Sequence, residues 1–146
     1  MIFIGSDHGG WNLKQEITKW LKSKKIEFED VGAKILQQDD DYPDYAFPLV
    51  KKVVKNKKNL GILISRDGIG MSIAANKIKG AKAALCTFVP QAITSRAHNN
   101  TNVLVLAAEF LDEEKAIKIV DMFLKAGFNE EERYNRILKK IDEIEK

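Results

Sequence analysis

The sequence predicts an α/β fold, a Rossmann-like three-layer α/β/α sandwich with a five-stranded parallel sheet and an extra C-terminal helix. Five short apolar segments alternate with amphipathic segments, and the connections between them are short. Parallel neighbouring strands need crossover connections, which are usually helices that cover both faces of the sheet. We find no internal repeat or linker, so we expect a single domain over residues 1–146.

The first half of the chain alternates strand and helix twice. Met1–Gly5 is apolar almost throughout, which is typical of a strand buried on both faces. Residues 10–24 place apolar side chains at i, i+4, i+7 and i+8, which predicts a helix. Ile26–Val31 predicts a second, less buried strand, and an acid and a proline at 41–43 indicate the start of a second helix.

The second half continues the alternation and then ends on two helices. The predicted strands are Leu60–Ile64, Ala81–Cys86 and Thr101–Ala107, and the predicted helices are Met71–Lys77, residues 90–98, a helix capped by Asp112 and stopped by Gly127, and residues 130–145. The last helix follows a helix instead of a strand. Such an appended helix often packs on a neighbouring subunit.

Composition narrows the function. Apolar residues make up 45% and charged residues 31%, which excludes a disordered or fibrous chain. The net charge of +3 is too small and diffuse to indicate nucleic-acid binding, and no apolar run approaches the roughly 20 residues of a membrane span. The start of the chain lacks a basic leader and Cys86 is the single cysteine, so we expect a cytoplasmic enzyme or small-ligand binder.

Ligands of open parallel sheets bind at the carboxyl ends of the strands, so the loops there carry the candidate site. Asp7 and His8 follow the first strand between glycines. The carboxylate can accept sugar hydroxyls, and the imidazole can donate to a phosphate or transfer a proton. Gly68 and Gly70 follow the third strand, where successive amides can hold an anion or an enediolate oxygen.

Other chemistry is less well supported. The glycine loop lacks the residues of a P-loop and the third glycine of a dinucleotide site, and Ser65 has no triad partner by spacing. Cys86 is predicted to be a core residue, and the two histidines do not form a metal site of recognisable spacing. The polar segment Ser95–Asn102 lies at the wrong end of the sheet for the same subunit's site. It is either a capped turn between a helix and a strand or part of an inter-subunit site.

Taken together, these motifs resemble the ribose-5-phosphate isomerase B family, which also contains the galactose-6-phosphate isomerase subunits. The resemblance rests on an ordered set of segments: Ser6–Gly10, Asp41–Ala46, Gly61–Ile64, Gly68–Lys77 and Ser95–Leu104. It covers the chain from the first strand to the last helix.

The resemblance implies a homodimer, sometimes a dimer of dimers, with the site between subunits. It implies an aldose–ketose isomerase that acts on a sugar phosphate, with ribose 5-phosphate the expected substrate, through ring opening and a cis-enediolate. No metal or nucleotide cofactor is expected. By the same resemblance, Asp7 and Tyr42 bind the sugar, His8, Arg133 and Arg136 bind the phosphate end, His98 assists ring opening, and Asn99 with the Gly68, Gly70 and Ser72 segment stabilises the enediolate oxygen.

The chain departs from the family pattern at the proton-abstracting base. Ser65 stands where most members have the cysteine that abstracts the proton, and Met71 stands where another branch has a glutamate. Asp67 is the only carboxylate of this loop and is the alternative base. The predicted catalytic residues are therefore Ser65, Asp67 and His98, with the choice between the first two left open.

The phosphate end also departs from the pattern. Glu109 replaces an arginine that many members carry, and Glu132 or Arg133 stands at another arginine position. A carboxylate facing a phosphate is unfavourable. Two alternatives therefore accompany the isomerase hypothesis: a non-catalytic or heteromeric partner subunit of the galactose-6-phosphate isomerase type, and an isomerase or binder for a different, unphosphorylated sugar.

Overall fold

The computed structural model describes residues 1–145, which form five strands and six helices. The strands are β1 (Ile2–Ser6), β2 (Phe28–Gly32), β3 (Leu60–Ser65), β4 (Ala83–Leu85) and β5 (Val103–Ala107). The helices are α1 (Trp11–Ser23), α2 (Pro43–Val53), α3 (Ile69–Ala75), α4 (Val89–Asn99), α5 (Glu113–Lys125) and α6 (Glu132–Ile144). Two short 3₁₀ turns, His8–Gly10 and Ala108–Phe110, follow β1 and β5.

The strands form one parallel sheet in the order β2-β1-β3-β5-β4. All five residues of β5 are buried, because side chains alternate between two covered faces. Val103 and Val105 contribute to the core under α2 and α3, while Leu104 and Leu106 contribute to the core under α1, α4 and α5. The predicted three-layer fold class is confirmed.

Several element boundaries differ from the predicted ones by about two residues, among them the start of β5 at Val103 and not Thr101, and α3 at Ile69–Ala75 and not Met71–Lys77. β2 begins at Phe28 and not at Ile26, because the Ile26 amide donates to the Leu21 carbonyl at the end of α1. β4 is shorter than predicted, since the Ala81 amide closes a turn onto the Ile78 carbonyl.

The ends of two helices also differ from the predicted ones. α5 ends at Lys125, before the predicted stop at Gly127, because Ala126 is already extended. At α2 the acid before the proline does not cap the helix, since the N-cap position is Tyr42 and it makes no side-chain cap bond. The predicted Asp112 cap is confirmed, with its side chain accepting the Lys115 amide.

The appended helix α6 packs loosely on the outside of the domain. Only Leu138 is buried among its described residues. An ion pair between Lys82 and Asp142, at 3.0 Å, attaches its second half to the domain. Its remaining isoleucines, at positions 137, 141 and 144, are 38%, 45% and 86% exposed. Within residues 1–145, no helix is both long enough and apolar enough to cross a bilayer.

Candidate active site

The loops after β1 and β3 meet at the carboxyl edge of the sheet. Ser6 is in register with Ile64, so Asp7 and Ser65 follow at the same level of two neighbouring strands, about 4.8 Å apart in the direction of the hydrogen bonds. The chain leaves β1 towards β2 and then crosses back to β3, which makes this position a topological switch point. The structure therefore brings the first two predicted loops together.

Asp7 is a buried carboxylate, with only 6% of the residue exposed. It caps the 3₁₀ turn by accepting the Gly10 amide at 3.3 Å. Burial raises the pKa of Asp7, and the neighbouring His8 charge and the backbone amides offset part of this effect. A carboxylate in this position can accept hydrogen bonds from sugar hydroxyls as the sequence predicts.

His8 is bonded to a residue that the sequence analysis did not single out, Asp40. Its ring nitrogen Nδ1 lies 2.6 Å from Asp40 Oδ1, and its backbone amide donates to the same oxygen at 2.9 Å. The Asp40 side chain is 5% exposed, whereas that of His8 is 28% exposed. The hydrogen bond to Asp40 raises the pKa of His8, and this outweighs the opposing effect of partial burial.

The pKa of Asp40 is lowered overall. Burial alone would raise it, but the bonds from the His8 amide and ring outweigh that effect. Asp40 Oδ2 is buried without a hydrogen-bond partner among residues 1–145. The Tyr45 hydroxyl lies near enough to lower the pKa of Asp40, yet it does not meet hydrogen-bonding geometry with that oxygen.

Tyr42 lies against the glycine loop that follows β3. A methyl group at Gly70 would collide with the Tyr42 Cζ and hydroxyl oxygen, so position 70 requires glycine while the ring stays there. Tyr42 remains 38% exposed, which leaves its face or hydroxyl accessible to a ligand. The structure thus places this predicted sugar-binding residue beside the predicted amide segment.

Ser65 and Asp67 both bond to the start of the helix after their loop. Ser65 is buried and its hydroxyl oxygen accepts the Gly68 amide at 3.2 Å. Asp67 is exposed and its Oδ1 accepts the Ile69 amide at 3.0 Å. Gly68 has φ +74°, in the left-handed region that favours glycine. Both candidate bases therefore lie in the loop, one buried and one facing solvent.

The predicted amide segment is partly used by these bonds. The Ser72 amide donates to the Gly68 carbonyl, as in any first helical turn. In the described part of the chain, the amides of Gly70 and Met71 have no acceptor. These two groups, and not the Ser72 amide, are available to an oxyanion.

A cleft of about 730 Å³ opens beside His8. Arg66 and Glu109 both line it, and the Glu109 amide donates to the Arg66 carbonyl at 2.9 Å. The positive charge of Arg66 lies near enough to His8 to lower the pKa of its ring. Glu109, one of the departures from the family pattern, therefore lies beside Arg66 in one polar cleft.

The remaining predicted residues lie at the opposite, amino edge of the sheet. His98, at the end of α4, stacks on Tyr134 of α6 with ring centroids 4.6 Å apart and an interplanar angle of 10°. Asn99 is exposed, and Arg136 pairs with Glu132 at 3.1 Å. Arg133 is exposed beside Tyr134 on the same helix. One chain does not bring this group to the Asp7 edge.

The predicted site residues form two clusters, one at each edge of the sheet. The carboxyl-edge cluster consists of Asp7, His8, Tyr42, Ser65, Asp67, Gly68, Gly70 and Ser72. The amino-edge cluster consists of His98, Asn99, Arg133 and Arg136.

A family model described as Ribose/Galactose Isomerase matches residues 2–141. The chain belongs to this family. A protein described as probable ribose-5-phosphate isomerase B from Mycoplasma genitalium is 47% identical over 146 residues, covering 99% of this chain and 95% of the relative.

Solved structures of this ribose/galactose isomerase family share the fold. A crystal structure of ribose-5-phosphate isomerase B from Mycoplasma genitalium with bound ribulose-5-phosphate has a TM-score of 0.94 at 46% identity, covering 99% of this chain and 95% of that one. A ribose 5-phosphate isomerase from Thermotoga maritima has a TM-score of 0.92 at 44% identity, covering 97% of each chain.

Two further groups bear on the chemistry of this ribose/galactose isomerase. Asp7, His8 and Asp40 have donor atoms within 4.8 Å of one another, a grouping that sequence spacing does not reveal and that a metal ion could bridge. The 2.6 Å contact between His8 and Asp40 instead uses these atoms as a hydrogen-bonded ion pair. Cys86 is buried and burial raises its pKa to about 11, as expected of a core thiol and not of a nucleophile.

Two neighbours of the predicted residues escaped the sequence analysis. Tyr134 belongs to the apolar side of a predicted helix, and its stacking on His98 has no sequence signal beyond helical spacing. Asp40 lies in the acidic run 39–41 directly before Tyr42. That run is the only signal that could have pointed to it.

Proposed function

We propose that the protein is a ribose-5-phosphate isomerase, which interconverts ribose 5-phosphate and ribulose 5-phosphate in pentose phosphate metabolism. The observation that carries this proposal is the near-identical fold of the Mycoplasma genitalium structure with bound ribulose-5-phosphate. The retained Asp7, His8 and Tyr42 at one edge supply the hydrogen-bonding groups that an open-chain sugar phosphate requires.

The reaction moves one proton between neighbouring carbons. Ring opening exposes the C1 aldehyde, a base removes the proton from C2, and the resulting cis-enediolate is protonated at C1 to give the ketose. Asp7 and Tyr42 bind the sugar, while His8, Arg133 and Arg136 bind its phosphate. The amides of Gly70 and Met71 and the side chain of Asn99 stabilise the enediolate oxygen.

Either Ser65 or Asp67 removes the C2 proton. Ser65 is buried at the end of β3, which favours its placement close to the sugar, but a serine alkoxide is inaccessible near neutral pH. Asp67 carries a carboxyl group that is exposed to solvent, and only one of its oxygens is used by the Ile69 amide. We favour Asp67 because a carboxylate is already the base in one branch of the family.

We propose that the active enzyme is a homodimer, or a dimer of dimers, in the cytoplasm. The amino-edge cluster is exposed in one chain and lies at the far edge of the sheet from Asp7, so a second copy must supply it. The exposed isoleucines of α6 share one helical face, which supports its burial against a partner. The free Cys86 fits a reducing compartment.

The test is solvent exchange. The pure protein is incubated with ribose 5-phosphate in heavy water, and the recovered sugars are analysed for deuterium by NMR. We expect deuterium at C2 of the aldose and C1 of the ketose. Asp7→Asn, purified in the same way, is the control for host isomerase. Equal exchange by both proteins, or none by either, would contradict the proposal.

Glu109 lines the cleft, where its charge is unfavourable to a phosphate. This favours two alternative functions, an isomerase of another sugar and a partner subunit. The same exchange assay with galactose 6-phosphate and with free ribose separates these functions. Faster exchange on either compound than on ribose 5-phosphate favours a different substrate. Binding of sugar phosphate without exchange on any of them favours the partner subunit.

A further inference from the structure

We propose that Asp40 is a positioning residue of the active site, which fixes the His8 ring so that its Nε2 faces the cleft as a donor to the substrate's phosphate. This inference rests on the proposed function for the identity of the substrate. Its geometric part, the coupling of Asp40 to His8, stands on the structure alone.

His8 is held by two hydrogen bonds to one oxygen of Asp40. A single oxygen, Asp40 Oδ1, receives both the ring Nδ1 at 2.6 Å and the backbone amide at 2.9 Å. Two bonds to one atom fix the ring relative to its own backbone. Because Nδ1 is engaged, Nε2 is the ring nitrogen left to face the cleft that His8 lines.

The side chain of Asp40 is enclosed by the protein. Its side chain is 95% buried, since only 5% is exposed. Its Oδ2 has no hydrogen-bond partner among residues 1–145, although a buried carboxylate oxygen normally has one. Leaving such an oxygen unsatisfied costs stability, so its presence requires an explanation, and a role in the site is one.

The loop that carries Asp40 is anchored at its start. This loop follows β2, and Lys14 of α1 holds its start. The fully buried Lys14 ammonium bonds to both oxygens of Asp30, at 2.9 and 3.0 Å, and to the Ala33 carbonyl. The Ala33 amide donates to the Ser6 carbonyl at the end of β1. The start of the loop that carries Asp40 is therefore held at the strand end that carries His8.

The charges around His8 agree with a donor role. Asp40 and Asp7 favour the charged imidazolium, and Arg66 opposes it. Glu16, Glu109 and Glu113 line the same cleft, and their charges oppose a phosphate there, which the charge of His8 must offset. A charged donor held beside two carboxylates offers a phosphate a strong hydrogen bond, and its own ion pair keeps that charge in place when the site is empty.

The experiment compares the full-length protein with Asp40→Asn and with Asp39→Asn. The asparagine keeps the size of Asp40 and its bond to the His8 amide, but not its charge. Asp39 is exposed, lies in the same acidic run, and serves as the matched control. The chain has two histidines, so ring signals in NMR are assigned by the loss of one set in His98→Asn.

Three readouts test the proposal. The pKa of His8, followed by NMR, falls in Asp40→Asn and stays unchanged in Asp39→Asn. The affinity for inorganic phosphate at neutral pH falls by about tenfold in Asp40→Asn, which corresponds to about 1.4 kcal/mol. The KM for ribose 5-phosphate rises by a similar factor while kcat stays within about threefold, since the phosphate contact is made in ground state and transition state alike.

An unchanged His8 pKa, or an unchanged phosphate affinity, would overturn the proposal. A fall in kcat without a rise in KM would do the same. If the wild-type protein binds phosphate but does not isomerise ribose 5-phosphate, the proposed function fails, while the phosphate and NMR readouts still decide on Asp40. Should Asp40→Asn unfold, Asp40→Ser, which also lacks the charge, takes its place, and the same fall in the pKa of His8 is expected.

Discussion

The carboxyl-edge cluster and the amino-edge cluster differ in how their side chains are held. At the carboxyl edge, His8, Ser65 and Asp67 each bond to a neighbouring loop or helix start, and Tyr42 lies against Gly70. At the amino edge, Asn99 and Arg133 are exposed and His98 is supported by one stacked ring. The chain thus organises one half of its site internally, while the other half is presented outwards, as expected of groups that act in a partner's site.

The largest expected effect concerns the base in the carboxyl-edge cluster. If Asp67 removes the C2 proton, Asp67→Asn lowers kcat by about 10⁴-fold, at the upper end of general acid–base contributions. Ser65→Ala then retains most activity. The opposite result, loss in Ser65→Ala and retention in Asp67→Asn, assigns the proton to Ser65.

Ser65→Cys sharpens the same assignment. A thiol has an ordinary pKa near 8.5, which can fall at a helix N-terminus, so a cysteine here should raise kcat if Ser65 stands where the proton is removed. The measurement is steady-state turnover of ribose 5-phosphate. No gain in Ser65→Cys together with no loss in Asp67→Asn would exclude both residues as the base.

At the amino edge, His98→Asn is expected to slow turnover of the cyclic sugar by about 10²-fold. Turnover of the open-chain form should fall much less, because the role proposed for His98 is ring opening and not the proton transfer. Pre-steady-state assays on the two forms measure the difference. Equal losses on both would show that His98 only positions the ligand.

Mixing two inactive variants tests whether the two clusters belong to one shared site. Asp67→Asn and His98→Asn proteins are co-refolded, so that mixed dimers form. In a mixed dimer, one of the two sites receives intact residues from both chains. We expect about one quarter of wild-type activity for random pairing. Activity no higher than that of the separate variants would place both clusters in one chain's site.

The pH dependence of stability reports on His8 and Asp40. Asp40 raises the pKa of His8, so this contribution is complete below about pH 6.5 and is lost as pH rises through the folded-state pKa. The pKa of Asp40 is lowered, so its contribution is present above about pH 3.9 and is lost as pH falls through the folded-state pKa. Denaturant unfolding should therefore show the largest cost of Asp40→Asn, about 1 kcal/mol, between these limits.

The smallest expected effect is at Glu109. Glu109→Gln removes a like charge from the cleft that His8 and Arg66 line, and we expect the KM for ribose 5-phosphate to fall about two- to threefold. The matched control is Glu114→Gln, in the exposed first turn of α5, where Glu114 pairs with Lys118. A higher KM in Glu109→Gln would mean that this carboxylate takes part in substrate binding.

Periodicity and loop position predict most of this molecule. The five apolar strands, the covering helices and the edge at which Asp7 and Ser65 meet all follow from local patterns that the fold preserves. Asp40 and Lys14 could not be predicted in the same way. Asp40 lies in an irregular loop without periodicity, and Lys14 is a charged residue that is normally exposed on a helix.

What buries Lys14 is the arrival of β2 and its loop, a long-range contact that helical spacing cannot show. A different, local reason explains the unexpected length of β4 and the start of β2. In both cases a turn bond competes with the ladder for one backbone amide. The sequence predicts the edge of the sheet that carries the candidate site, whereas the contact between Asp40 and His8 depends on tertiary structure.

The burial of Lys14 makes its rate of chemical labelling a measure of how often the segment after β2 opens. Its ammonium is fully enclosed and bonded to Asp30 and the Ala33 carbonyl, so an amine-reactive reagent reaches it only when the segment after β2 swings away. Exposed lysines such as Lys118 react at once and provide the internal reference. The labelling rate of Lys14, read by mass spectrometry, therefore measures how often that segment opens, and a bound ligand that closes it slows the reaction.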